Sequence, residues 1–361
     1  MSGRFGAVII GGGQAGLAAG QYLRRLGADF VVLDAGEEVG WTWRRRWDSL
    51  RLFTPARFNH LPGLRFPARP DHYPSKDEMA DYLVEYANRF ALPVRHDRRV
   101  RELKRDGTRF TIRADGGDLE ADHVVVATGP TMIPHRPSYA GRLDVPQLHS
   151  SDYRNPDQLP DGQILVVGAG NSGAEIALDL APTRRVVLAG ADTGRLPVPL
   201  GGLRYRLLNR LLTVDNAIGR RIAYRSTGRG SPLVRTRPED LATAGVVRVA
   251  RVIDADGGRA LLADGRKVDV AAVVWCTGYR PDYHWIRIPV FNDGRPVQHR
   301  GVVAGCPGLY FVGLPFQSGF ASSLVGGVGR DARYVTDHLA ARRTAVGRPT
   351  APPGPWDADV T

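Results

Sequence analysis

Residues 6–36 read GAVIIGGGQAGLAAGQYLRRLGADFVVLDAG, and this stretch decides the fold. Apolar Ala7–Ile10 has the composition of a buried strand. Gly11, Gly13 and Gly16 form a GxGxxG turn, Leu17–Leu26 carries helical spacing, and Phe30–Leu33 is a second strand. In such a strand–turn–helix unit Gly11 permits the tight turn and Gly13 lets backbone approach a pyrophosphate. Gln14 and Ala15 complete the turn, and Gly16 lets helix and strand close up. Asp34, at the end of the second strand, is placed to accept hydrogen bonds from ribose hydroxyls. Three glycines alone are a weak signal, because close helix–strand packing produces the same pattern. The flanking strand, helix and acid make this copy specific.

The chain then repeats itself. Residues 162–190 read GQILVVGAGNSGAEIALDLAPTRRVVLAG, giving a strand at Ile164–Val167, a turn at Gly168, Gly170, Asn171, Ser172 and Gly173, a helix at Ala174–Leu180 and a strand at Val186–Ala189. Each copy is followed by a strand pair around an Asp-Gly turn and by an apolar strand that ends in Thr-Gly, at Thr128-Gly129 and at Thr277-Gly278. From the last turn glycine to that threonine the distance is 128 − 16 = 112 residues in the first copy and 277 − 173 = 104 in the second. Two nucleotide-binding cassettes in the same order are hard to obtain by accident. Residues 154–162, RNPDQLPDG, read as a linker between them, and the segment after residue 341 lacks periodicity and reads as a flexible tail. Between them, Leu309–Val312 reads as a strand, Gly313 opens a loop, and a helix is expected to start near Ser322 or Ser323.

Composition narrows the function. The 361 residues are 43% hydrophobic and 24% charged, enough apolar material for a sizeable core. No run reaches the eighteen or so apolar residues of a membrane span, and the strand pattern already under way at residue 7 argues against a signal peptide. A cytoplasmic protein is expected. Cys276 and Cys306 are too few for a disulfide framework and have no metal-type spacing. The net charge is 49 − 37 = +12, but only Lys76, Lys104 and Lys267 among the basic residues are lysines, and the arginines scatter along the chain. That distribution fits codon bias better than a phosphate-binding stripe, so nucleic acid is not an expected partner.

With these pieces in place, the sequence resembles the flavin-containing monooxygenase family, soluble bacterial members of the class B flavoprotein monooxygenases. The resemblance runs over roughly residues 5–340. It rests on GGGQAG (11–16), VGWTWRRRWDSLRLFTP (39–55), VATGP (126–130), LHSSDYR (148–154), GAGNSGAE (168–175), WCTGYRPD (275–282) and GVGRDA (327–332 read within GGVGRDA). It implies an α/β fold of two Rossmann-like dinucleotide-binding domains, glutathione-reductase-like, with the NAD(P)H domain inserted in the FAD domain. The expected division is 1–155 with 281–340 for FAD, 156–280 for NAD(P)H, and 341–361 as tail. It further implies FAD and NADPH, with NADH open, together with dioxygen and a small-molecule substrate. No integral membrane segment is implied, and a homodimer is left open. In this family hydride passes from the nicotinamide to FAD, a C4a-(hydro)peroxyflavin forms with dioxygen, and one oxygen goes to substrate. The resemblance adds Trp43, Arg44, Gly313 and Ser322 to the cofactor-binding set. It makes Trp43, Phe53 and His60 candidates for the wall over the flavin, although aromatic residues there also serve as core.

Departures from the family pattern are informative. The linker fingerprint resembles FxGxxxHxxxY/F: His149 and Tyr153 fit, while Leu143 and Val145 replace the Phe and Gly. Ending in Tyr rather than Trp favours oxygenation at nitrogen or sulfur over Baeyer–Villiger chemistry. His149 itself is open between a catalytic effect and a role in fixing the linker. An asparagine expected in the segment matching Leu50–Pro55 is absent, and Gly190 stands where a 2′-phosphate-binding arginine is expected, with Asp192 nearby and Arg195 or Arg204 as substitutes. A flavin disulfide reductase would need a cysteine pair that this chain lacks. An electron-transfer reductase without oxygen insertion stays open. Finally, residues 200–225 alternate leucine and isoleucine with arginine at near-helical spacing. A helix covering the core or bordering the substrate entrance is expected there, rather than a membrane-surface segment.

Overall fold

The computed structural model describes residues 3–130, 133–195, 202–217, 219–221 and 232–345. The chain runs β1 (Gly3–Ile10), α1 (Gln14–Arg25), β2 (Phe30–Leu33), α2 (Trp41–Arg44), α3 (Lys76–Arg89), β3 (Val94–Arg95), β4 (Val100–Asp106), β5 (Arg109–Ala114) and β6 (Gly117–Val126). It continues through β7 (Ile133–Pro134), β8 (Gln147–His149), β9 (Gln163–Val167), α4 (Asn171–Leu180), β10 (Arg185–Ala189), α5 (Gly202–Leu211) and α6 (Pro238–Thr243). Then follow β11 (Val247–Val249), β12 (Val252–Asp256), β13 (Arg259–Leu262), β14 (Lys267–Val268), β15 (Ala272–Trp275), β16 (Tyr279–Arg280), β17 (Phe291–Asn292), β18 (Arg295–Pro296), β19 (Leu309–Phe311) and α7 (Val325–Ala345).

The two glycine-turn units each seed a parallel sheet. In the first, β3, β2, β1 and β6 lie side by side, β5 and β4 extend the edge antiparallel, and β19 also pairs with β6. In the second the order is β11-β10-β9-β15-β8, all parallel. The central strands Val8–Ile10, Val124–Val126, Ile164–Val167 and Ala272–Trp275 are buried on both faces, which is why they read as unbroken apolar runs rather than alternating ones. The α1 helix packs on α7, so the C-terminal helix returns to cover the first cassette.

Several expectations shift by a few residues. The strands begin earlier than their apolar runs, at Gly3 and Gln163, because parallel pairing with β6 and β10 extends past the hydrophobic core. Asp115-Gly116 does form the two-residue link between β5 and β6, but positive φ falls on Gly116 and Gly117, not on the aspartate. The second Asp-Gly turn, Asp264-Gly265, closes a separate three-stranded sheet, β12-β13-β14. β8 lies before the expected domain boundary at 155 yet pairs with β15 of the second sheet. The α7 helix starts at Val325, not Ser322, and continues to Ala345, past residue 341. Beyond that, the expected tail lies outside the described residues, as do 222–231 and several side chains of 203–208 within the arginine–leucine segment. What is described there is α5, with Leu207 and Leu211 exposed. Among the described residues no helix is long and apolar enough to cross a membrane.

Candidate functional site

The first glycine turn opens onto a cavity of about 380 Å³. Gly11 holds φ +111°, and a Cβ there would sit 2.5 Å from the Ala127 carbonyl oxygen. This close approach brings the turn against the Ala127–Pro130 segment at the end of β6. At Gly13 an added Cβ would meet nothing within 4 Å, so the backbone is open to a ligand. Gly13 is also the N-cap of twelve-residue α1 and offers no side-chain cap, which leaves first-turn N–H groups available to an anion. Asp34 accepts a hydrogen bond from Gly36 N at 2.6 Å with Oδ1 and one from Gly12 N with Oδ2, fixing the turn while still lining the cavity.

Of the expected residues, Gly11, Gly13, Gln14, Ala15, Asp34, Trp43, Phe53, Thr128, Gly129 and Gly313 all line this cavity. Gln14 and Trp43 meet each other, the indole N–H donating to Gln14 Oε1 at 3.4 Å. Gly16 sits behind the wall, where a side chain would overlap the Gly11 carbonyl.

Other expected residues are elsewhere. Arg44 turns outward to pair with Glu38 at 2.7 Å and Asp81 at 2.8 Å, and it is Arg46 that lines the cavity. His60 is exposed, and its neighbour Asn59 takes the wall position. Ser322 is fully buried: its Oγ accepts from Ser318 N and Gly319 N, each at 3.0 Å, so it braces the loop while Ser323, Leu324 and Val325 reach the cavity. Arg195 is exposed and bridges to Leu233. Asp192 caps Gly194 N at 2.8 Å, and Gly190 abuts Ala169, so neither supplies a cation after β10.

His149 and Tyr153 are buried away from the cavity. Ser151 N–H donates to His149 Nδ1 at 3.1 Å, so Nε2 carries the proton and donates to the Gly278 carbonyl at 3.1 Å. Burial lowers the proton affinity of this ring. The Tyr153 hydroxyl donates to Asp179 Oδ2 at 2.7 Å. Together they tie the linker to the Thr277-Gly278 crossover and to α4, which supports the linker-fixing role for His149. Thr277 Oγ1 donates to the His135 carbonyl, and Thr277, Gly278 and the turn at Gly168, Gly170, Asn171, Ser172 and Gly173 are not on the cavity wall. Asn171 instead holds residues 232–234 through both amide atoms, at 3.0 Å and 2.8 Å. Among the described residues the second cassette reaches the wall through Glu175 alone.

Sequence reasoning missed Arg46, Thr54, Asn59 and Glu175, and of the two serines expected at the start of the last helix it is Ser323 that lines the cavity. Thr54 Oγ1 donates to Asn59 Oδ1 at 2.5 Å, and Asn59 Nδ2 donates to the Thr54 carbonyl at 2.6 Å, making a buried amide–hydroxyl pair on the wall. An asparagine is therefore present at this cavity, four residues beyond the Leu50–Pro55 segment. Both cysteines are free thiols, and burial pushes that of Cys276 up. The arginine–leucine segment borders the same region: Thr213 bridges Gly319, and Val214 N donates to Ser318 O at 3.0 Å.

Comparison with known proteins agrees with this geometry. Residues 8–218 match the family model described as pyridine nucleotide-disulphide oxidoreductase. An uncharacterized CzcO-like oxidoreductase of Geobacillus kaustophilus is 38% identical over 92% of this chain and 97% of its own length. The indole-3-pyruvate monooxygenase YUCCA1 of Oryza sativa is 39% identical over 48% of this chain and 45% of its own. The solved structure of a flavin-containing monooxygenase from Stenotrophomonas maltophilia superposes with a TM-score of 0.76 at 28% identity, covering 94% of this chain and 99% of that one. The chain thus belongs to the pyridine nucleotide-disulphide oxidoreductases and, within them, to the flavin-containing monooxygenases, enzymes built on two Rossmann-like domains that use FAD and NAD(P)H.

Proposed function

We propose that this enzyme uses NAD(P)H and dioxygen to place one oxygen atom on a nucleophilic nitrogen or sulfur of a small molecule, releasing the other as water. The observation that carries the reading is the single cavity on which the first glycine turn, the Thr128-Gly129 strand end and Glu175 of the second cassette converge. In this reading residues 1–155 and 281–340 hold FAD, 156–280 hold the pyridine nucleotide, and the chain works in the cytoplasm.

Bound FAD would supply the electron acceptor and the oxygen-activating ring, chemistry that side chains do not provide. The rest falls to the chain. Gly11 and Gly13 present backbone and the α1 N-terminus to a pyrophosphate, and Asp34 accepts ribose hydroxyls. Trp43, Leu50, Leu52, Phe53 and Leu324 make an apolar wall that keeps water from the reacting face, and the Thr54–Asn59 pair is the polar group within it. Oxygen transfer to nitrogen or sulfur asks mainly for a positioned substrate, so no general base is assigned.

The test is isotopic. With ¹⁸O₂ and NADPH, a panel of amines and thioethers should yield a product carrying one labelled oxygen, at one NADPH consumed per product. Hydrogen peroxide equimolar with NADPH and no labelled product would sink the proposal in favour of an oxidase or reductase. A second reading, oxygen insertion beside a carbonyl, is favoured by the relatives named indole-3-pyruvate monooxygenase. Ketones and 2-oxo acids therefore belong in the same panel.

A further inference from the structure

Glu175 has no task in the account so far. It lies on the second turn of α4, which buries Gly173, Ala174, Ile176, Ala177 and Leu180 on its packed face, so the helix cannot rotate to release it. The residue as a whole is half-buried, yet its Oε1 is sealed from solvent and makes no hydrogen bond. A carboxyl kept there for structure alone would be expected to have a partner. Asp179, one turn later, has one in Tyr153.

Its surroundings explain its state. Burial pushes the Glu175 carboxyl up to about 7, against the opposing pull of Arg235. Arg235 is itself engaged, donating to the Arg51 carbonyl at 3.0 Å and lying over the Tyr73 ring at 5.4 Å. From α6, Glu239 is exposed and Asp240 pairs with Arg237. On α4 itself Asp179 is bonded to Tyr153 of the linker, and behind the helix lies the Cys276 thiol, which burial keeps protonated. Elsewhere on the cavity wall stand Asp34, Glu38, Arg46 and Arg51. None of these is bonded to the sealed oxygen.

We propose that Glu175 is the proton-holding group of the redox site: the second cassette presents its carboxyl to the cavity of the first so that negative charge arriving there is matched by a proton on Glu175. The proposal rests on the reading that FAD occupies that cavity. Hydride transfer from NAD(P)H brings two electrons and one proton and releases NAD(P)⁺, adding one negative charge to a site of low dielectric constant. A neutral carboxyl donates a hydrogen bond to that charge, whereas a carboxylate repels it, so reduction raises the affinity of Glu175 for a proton. Between its resting value and that raised value, reduction must draw one further proton from solvent onto Glu175.

The experiment counts protons. FAD-loaded wild type, Glu175→Gln, Glu175→Asp and the surface control Glu120→Gln are reduced anaerobically with dithionite from pH 6 to 9. Proton uptake is read with an indicator dye, and the flavin midpoint is followed against pH. Wild type and the control should take up one proton more per electron pair than Glu175→Gln in a window opening near pH 7, and the midpoint slope should steepen correspondingly. Glu175→Asp should keep the extra proton, which reads the proposal even if the Gln variant folds poorly. Equal uptake in wild type and Glu175→Gln would overturn the inference. Wild-type protein that cannot be loaded with FAD would instead defeat the reading beneath it, and with it this proposal.

Discussion

At Gly11 the left-handed φ, and the Ala127 carbonyl oxygen that would lie 2.5 Å from an added Cβ, leave no room for a methyl group. Gly11→Ala should strain the turn by about 1–3 kcal/mol and displace the strand end beside it. Retained FAD per chain after gel filtration should fall several-fold, and unchanged loading would count against the turn as the pyrophosphate cradle. Glu175 gives a second, ligand-free expectation. A carboxyl whose folded-state pKa is raised contributes fully below its unfolded value near 4.3, and that contribution is lost as pH rises toward about 7. Glu175→Gln should therefore stabilise the protein by about 1–3 kcal/mol at pH 8 and not at pH 4, read as a pH-dependent shift in denaturant midpoint. His149 has the opposite profile. Burial depresses its pKa, so its contribution is complete above about 6.5 and shrinks as pH falls below that. The wild-type melting temperature should drop over that range, and His149→Gln should drop less.

The loop between β19 and α7 shows how an element sets the site. Ser318 Oγ donates to Asp331 Oδ1, Ser322 Oγ accepts from two backbone N–H groups, and all three residues are buried. The cluster fixes Ser323–Val325 against the cavity. Asp331→Ala should cost about 1–3 kcal/mol and weaken FAD retention, and Asp331→Asn should cost less, because an amide can still accept from Ser318. If Asp331→Ala left FAD dissociation unaltered, the loop would not be a wall of the site. This element also shows where the sequence stops being readable. Glycine turns and apolar runs are local: sterics and strand pairing act within a few residues, and Phe30–Leu33 was read without error. The start of α7 was not, because Ser322 is captured by Ser318 and Gly319 before it can cap the helix. Arg44 and Arg46, two positions apart, likewise differ only in which tertiary partners draw them, Glu38 and Asp81 against Tyr279.

Across the whole molecule, the repeat announced two cassettes, and both sheets carry them in the expected order. What the repeat could not convey is that the cassettes contribute unequally. The first turn faces the cavity, whereas among the described residues the second cassette reaches it through one carboxylic acid, two residues beyond its last glycine. That side chain is visible in GNSGAE as an acid followed by the apolar run Ile176–Leu178, but its orientation depends on how β8, β15 and the linker set one sheet against the other. In the proposed reaction electrons cross this cavity from the second cassette's ligand to the first's. Anaerobic stopped-flow mixing of the FAD-loaded protein with NADPH, and separately with NADH, tests it most directly by absorbance in the oxidised flavin band. At least one nucleotide should bleach the flavin rapidly in a single turnover. Persistent yellow colour with both, in protein that dithionite reduces normally, would contradict it.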